Sequence, residues 1–461
     1  MKSLLVLAHG IVVREDVPIP LWLFAWGAAL VLIVSFAALA SLWPDPKLQE
    51  EGWRPLRGRL WRIVASAPVA VGCGAIGVFL LGLVVYAGLN GTASTSGNFT
   101  PTFVFIVFWL LPLPLSVAFG DVFRAFNPWR AVGRAIAFVA GRAAGTSLPA
   151  PLEYPRWLGR WPAVLGILAF VWLEVAAPGG DSPESIAVAT LIYSTLTFVG
   201  MALYGVDTWI ERAEAFSVYF NLVSRISLFE RRGRAIGLRR PLSGLPAWDP
   251  LPGSVAFVCA LIGTVSFDGF SAGPFWNDNL VTSVRDFFEA LGLSAARALE
   301  LSFGLGMIVA VLITFGIYRL GVAGAHAVAG GPSGRELART FAHSLGPIAL
   351  VYAAAHYVSF LLLQGQAIVP LLSDPLGRGS DLIGTADFSV DYALIGASTF
   401  WYLQLAFVLI GHVAALVLAH DRAVAIYREP RKARDSQIWM LAVMIGFTSL
   451  ALWLLSEASA G

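Results

Sequence analysis

Ten apolar stretches, each long enough to cross a bilayer and separated by loops alternately rich and poor in arginine, constrain this chain more than any other feature. They cover residues 21–43, 66–89, 101–120, 161–177, 184–204, 252–270, 296–319, 341–368, 394–420 and 436–455. A spanning helix needs about 20 apolar residues, and these runs lack the alternation of an outer-membrane strand. In lipid each segment must satisfy its own backbone N–H and C=O groups, so such runs predict helices. With 57% hydrophobic and 13% charged residues, the 461-residue chain has too little polar surface to cover a soluble domain of that size. The expectation is an all-α, polytopic transmembrane bundle of about ten spanning helices, a single integral-membrane domain over residues 1–461.

Arginine gives the orientation. Arg54, Arg57, Arg59 and Arg62 follow the first run, six arginines from Arg124 to Arg160 follow the third, and seven from Arg212 to Arg240 follow the fifth. Arg422, Arg428, Arg431, Lys432 and Arg434 follow the ninth, whereas the alternate loops carry Asp181, Asp278, Asp286, Asp374, Asp381, Asp387 and Asp391. The positive-inside rule then makes the arginine-rich loops cytoplasmic and puts both termini on the non-cytoplasmic side of a bacterial inner membrane. The net charge of +2 is a sum of two opposed faces and gives no reason to invoke nucleic acid. The lipid bilayer is the first partner.

Residues 1–20 form a short outward segment. Its start, Met-Lys followed by Ser3-Leu4-Leu5-Val6-Leu7-Ala8, reads as a secretory signal cut short, since the apolar run is below the usual length of about 7 to 15 residues. Cleavage after Ala8 would make His9 the mature N-terminus, with an amine and an imidazole able to chelate one metal ion. Cys73 and Cys259 both fall inside runs, which excludes a secreted disulfide scaffold. They read as small buried hydrophobes before they read as a soft-metal pair. Asn98-Phe99-Thr100 matches a glycosylation sequon.

The cytoplasmic loops 121–160 and 205–251 each predict an amphipathic helix lying on the surface. In the first, Asn127 is the N-cap and Pro128 the first helical residue, with Trp129, Val132 and Ile136 opposite Arg130 and Arg134. The second is expected over residues 208–232, with Trp209, Phe216, Phe220 and Val223 on one side. Anchoring suits both, and a lipid-headgroup site is the sharper alternative. There is no internal repeat, P-loop or dinucleotide fingerprint, which weighs against an ATP-driven pump or a nicotinamide enzyme in this chain.

Ionisable groups inside apolar runs are costly unless paired or wetted, so chemistry is sought there. Asp268 stands near the outer end of the sixth run, between Phe267 and Gly269, and reads either as a site or as a cap for the next segment. Four of the six histidines lie in the eighth and ninth runs: His343, His356, His412 and His420. His343 and His420 fall at cytoplasmic ends, where arginine-rich loops or headgroups account for them. His356 and His412 are the membrane-buried pair, about 20 Å and 12 Å from the cytoplasmic surface at 1.5 Å per residue. Tyr352 lies one turn before His356, and Gln404 lies near it in depth. The expected chamber is lined by His356, Tyr352, Gln404 and His412 and opens outward toward Asp268 and His9, with Phe267 beside a bound substrate. Each histidine bonding only to a neighbouring helix is the structural alternative.

The segments AHGIVVREDVPIPLWLF (residues 8–24), GDVFRAFNPWRA (120–131), YSTLTFVGMALYGVDTWIERAEAFSVYFNLVSR (193–225), HSLGPIALVYAAAHYVSFLLLQGQAI (343–368) and GHVAALVLAHDRA (411–423) resemble a bacterial membrane family often labelled fenitrothion hydrolase. Members usually carry a longer signal-like stretch before the His-Gly, so the short start here is a departure. The resemblance implies hydrolysis of apolar phosphotriester-like substrates. A divalent transition metal held by His356, His412 and Asp268, with His9 as a further ligand, would activate the attacking water. The competing reading is a secondary transporter or metal permease using the same residues as an ion or proton relay, with breaks at Pro112, Pro114, Gly346 and Pro347 supplying discontinuous helices. A third reading, a membrane subunit with partners in a larger complex, follows from the lack of a sizeable soluble domain.

Overall fold

A computed structural model of the chain describes residues 21–146, 149–427 and 429–460. His9 and the signal-like start lie outside the described residues. In chain order the helices that matter here are α1 (Leu21–Leu42), α2 (Ala67–Asn90), α3 (Phe99–Phe119), α4 (Pro128–Ala144), α5 (Trp161–Val175), α6 (Pro183–Tyr204), α7 (Val206–Arg212) and α8 (Ala215–Ser224). They continue with α9 (Ser254–Ala272), α10 (Val281–Ala290), α11 (Ala295–Ala329), α12 (Gly334–Phe341), α13 (Gly346–Leu362), α14 (Ala397–Tyr427) and α15 (Pro430–Ala460). Three short strands, β1 (Arg54–Pro55), β2 (Phe229–Arg232) and β3 (Ala235–Leu238), make an antiparallel sheet in the order β1-β3-β2 on the arginine-rich side.

Among the described residues nine helices are long and apolar enough to cross a membrane, and the protein is an all-α, multi-pass membrane bundle. The expected fourth span differs: α5 has 15 residues, about 22 Å at 1.5 Å per residue, short of the ~30 Å hydrocarbon core. The outer helices turn large apolar side chains outward, as with Val71, Phe79, Leu196 and Leu312, because lipid is as good a solvent for them as another helix. The centre belongs to α9, with 72% of its span buried. Its sequence is apolar on every side, as a helix enclosed by others must be. It packs against α5, α11, α13 and α15. Gly263 lets the backbone of α11 come so near that a Cβ there would meet Val311 Cα at 2.6 Å.

The two expected surface helices come out differently. For α4 the cap is as read: Arg130 N–H donates to Asn127 Oδ1 at 2.8 Å, with Pro128 in the first turn. Its arginines bond to protein carboxylates, Arg134 to Asp207 at 2.8 Å, while Arg124 in the preceding turn reaches Glu211 at 3.1 Å. The stretch 208–232 is not one amphipathic helix but α7, α8 and strand β2. Helix α8 is buried at every residue except Asn221 and packs against α3, α5 and α13. The reason is Glu214. Its carboxylate accepts the backbone N–H groups of Phe216 and Ser217 at 3.0 and 2.8 Å, the Asn127 amide at 3.2 Å and the Tyr193 hydroxyl. A helix start satisfied within the protein can sit away from water, and Phe216, Tyr219 and Phe220 then join the aromatic rings of α3.

Two smaller features of the sequence find their place in the structure. Asn98 is fully buried and caps α3, accepting from Thr100 N–H and donating to the Ala87 and Thr92 carbonyls, all at 2.9 Å, so it offers no glycan acceptor. Cys259 is the small buried hydrophobe the sequence suggests, packed among Tyr318, Val322 and Phe341 in a cluster that does not include Cys73.

Candidate functional site

Helix α9 carries Asp268 inside the bundle, one turn before its end, at 1% exposure. The end of the helix is closed by another residue: the Asn277 amide donates to the Ser271 and Gly273 carbonyls, both at 2.9 Å. Asp268 is therefore not the cap of the next segment. Its Oδ2 accepts from His356 Nε2 at 2.9 Å and from the Tyr357 hydroxyl at 2.6 Å. Consecutive residues on α13 point about 100° apart, yet both reach this oxygen, their rings 4.4 Å apart and nearly perpendicular. A carboxylate deprived of water is held by such charge-assisted bonds, each about 1.5–3 kcal/mol.

With Nε2–H given to Asp268, the other ring nitrogen of a neutral His356 is an acceptor. It lies at a cavity of about 30 Å³ where α9, α13, α14 and α15 meet, lined by Ser266, Gly269, Tyr352, Ala355, His356 and Val408 among others. That volume holds one or two waters. Gly269 keeps this edge of the ring open.

His412 is not part of the dyad. It is fully buried in α14 and its Nδ1 donates to its own helix at the Val408 carbonyl, 2.7 Å away. Its ring sits 6.2 Å from that of Tyr352 and 6.3 Å from Phe447. The expected convergence of Asp268, His356 and His412 on one metal ion is not formed: among the described residues no three His, Cys, Asp or Glu side chains are placed to share one. The donors are engaged separately, Asp268 by His356 and Tyr357, His412 by its own turn. The other expected members are also elsewhere. Gln404 donates to the Ala355 carbonyl at 2.8 Å, which ties α14 to α13 and turns the amide away from the cavity lining. Phe267 packs edge-on to Trp276 and Phe303. It does not line the cavity.

The two terminal histidines each bond to protein groups. His343 Nδ1 donates to the Thr340 carbonyl at 2.9 Å. His420 faces Gln437 Oε1 through Nδ1 and the Trp43 carbonyl through Nε2, both at 3.1 Å. Beside it Asp421 accepts Trp43 Nε1–H at 2.9 Å, the backbone N–H groups of Lys47 and Leu48 at 2.5 and 3.1 Å, and Gln49 Nε2–H at 2.6 Å. This pair locks the segment after α1 onto α14.

Tyr357, which bonds to Asp268, and Ser266, which lines the cavity with His356 and Tyr352, are not among the residues singled out from the sequence. Tyr357 was findable only by knowing that α9 and α13 are neighbours, which no motif announces. No family model matches the chain, and no curated protein or solved structure matches it either.

Proposed function

We propose that this protein takes up and releases a proton inside the bundle at Asp268, His356 and Tyr357, as the coupling element of a secondary transporter. The observation that carries the reading is the geometry around one oxygen: Asp268 Oδ2 holds His356 and Tyr357 while His356 borders a water-sized cavity. A proton that arrives on the cavity water as hydronium passes to His356 Nδ1, leaves the water neutral and makes an imidazolium bonded through Nε2 to the carboxylate. Transfer of the Nε2 proton to Oδ2 leaves a neutral imidazole and a neutral acid. Charge is moved by two short steps with no displacement of heavy atoms, and the carboxylate never stands unpaired. The hydrolase that the family resemblance implies would use the same dyad as a general base. It would also need a pocket for the ester, and such pockets measure about 300–1,000 Å³, an order of magnitude above the cavity seen here.

The test uses proteoliposomes loaded with a pH-sensitive dye and challenged with a panel of amino acids, sugars, organic acids and metal cations. Wild-type protein is expected to acidify the lumen with at least one solute, and Asp268→Asn to abolish that response. Release of a nitrophenol from an aryl phosphotriester by wild type and not by Asp268→Asn would overturn the transporter reading in favour of the hydrolase.

A further inference from the structure

Two fully buried polar atoms, Tyr352 Oη and His412 Nε2, have no hydrogen-bond partner among the described residues. They are complementary. His412 Nδ1 carries its proton toward the Val408 carbonyl, so Nε2 of the neutral ring presents a lone pair, and the phenol is a donor in search of an acceptor. A buried donor or acceptor left unmade costs about 1–3 kcal/mol, so two such groups on rings 6.2 Å apart call for a shared partner. The shared partnership is one in which the phenol donates and Nε2 accepts, directly or through one water. Tyr352 also lines the cavity bordered by His356, which lies one turn further along α13.

We propose that His412 is a second seat for the proton, reached from His356 through the cavity and the Tyr352 hydroxyl. This rests on the reading of Asp268 and His356 as a proton-binding pair. In the transfer, Asp268 Oδ2 first returns its proton to His356 Nε2; the resulting imidazolium passes its Nδ1 proton to cavity water and is left neutral, that water passes one to the Tyr352 oxygen, and Tyr352 gives its own hydroxyl proton to His412 Nε2 directly or through one water. Each carrier loses one O–H or N–H bond as it gains another, and only Asp268 and His412 end with a changed proton count. His412 becomes an imidazolium that keeps its Nδ1–H bond to Val408. The groups facing it are Tyr352 from α13 and Phe447 from α15. Among the described residues no carboxylate or arginine contributes charge at this ring. The position suits passage toward the arginine-rich face: His412 lies eight residues, about 12 Å, before His420 on α14.

The test is ¹⁵N-histidine magnetic resonance of the full-length protein in lipid bilayers over a range of pH, with His412→Gln to assign the signal. Infrared detection of the Asp268 carboxyl in the same samples serves as the control for the dyad. Wild-type His412 is expected to be the Nδ1–H tautomer at high pH and to gain a proton on Nε2 as pH falls. Tyr352→Phe is expected to keep that tautomer and to slow proton exchange at His412 by about 100-fold, the usual worth of a positioned proton carrier. A His412 that keeps one proton throughout the range in which Asp268 titrates would overturn the second seat and leave the dyad standing. Unchanged exchange in Tyr352→Phe would overturn the route. An Asp268 carboxyl that never titrates would refute the dyad itself, a failure visible in the infrared data alone.

Discussion

Gly269 lies flat against the edge of the His356 imidazole, where a Cβ would stand 3.4 Å from both Cε1 and Nδ1. The glycine is what leaves Nδ1 facing the cavity. Gly269→Ala is expected to fold with little loss, since a Cβ 3.4 Å from the ring makes an ordinary van der Waals contact. Gly269→Leu is expected to cost about 1–3 kcal/mol and to fill the cavity. Unfolding midpoints in detergent give the first comparison, and proton exchange at His356, slowed only in the leucine variant, gives the second.

Helices α13 and α14 meet at Gly411, where a Cβ would fall 2.2 Å from Val351 Cγ2. Gly411→Ala is expected to destabilise by about 1–3 kcal/mol, and Val351→Ala in the same chain to recover most of that loss. Unfolding of the single and double variants checks it. A simple sum of the two single effects would mean that the helices approach elsewhere.

Asp421 gathers four donors from the segment after α1. Asp421→Asn removes the charge and turns an N–H₂ group toward donors, so a loss of about 2–3 kcal/mol is expected. Amide exchange at Leu48, fast in the variant and slow in wild type, is the local readout.

The exposed segment between α13 and α14 supplies a pH prediction. The Ala386 backbone N–H, at 3.1 Å, and the Ser373 side chain bond to the Asp381 carboxylate and hold it below the usual carboxylate range. A folded pKa lowered in this way stabilises the loop above the unfolded value of about 3.9, and that contribution is lost as pH falls through the folded value. Protection of the Ala386 amide is therefore expected to persist at neutral pH and to fall below about pH 4. In Asp381→Asn the protection should be low at both pH values.

The bundle was legible because the bilayer dictates length and polarity, and the runs around α9, α11 and α14 meet that demand. What stayed hidden was pairing. Nothing in the run 208–232 shows that Glu214 will find Asn127 and Tyr193, and without those partners an apolar helix beside arginines reads as a surface anchor. Asp268 and His356 stood out because an ionisable group in an apolar run needs a partner. His412 stood out for the same reason, but it does not converge with Asp268 and His356 on one metal centre, because depth along a helix says nothing about the face on which a ring turns. Gln404 likewise satisfies a carbonyl of the adjoining helix, the ordinary use of an amide between spans.

The central claim is that Asp268 is a proton-binding group whose affinity is set by His356 and Tyr357. Infrared difference spectra between low and high pH, recorded on wild type, Asp268→Asn, His356→Gln and Tyr357→Phe in bilayers, test it most directly. The expected result is a protonated-carboxyl band in wild type that is lost in Asp268→Asn and whose pH midpoint moves upward in His356→Gln and in Tyr357→Phe, since removing a donor to the carboxylate favours its protonated form. A band that survives Asp268→Asn, or a midpoint that neither partner variant moves, would contradict it.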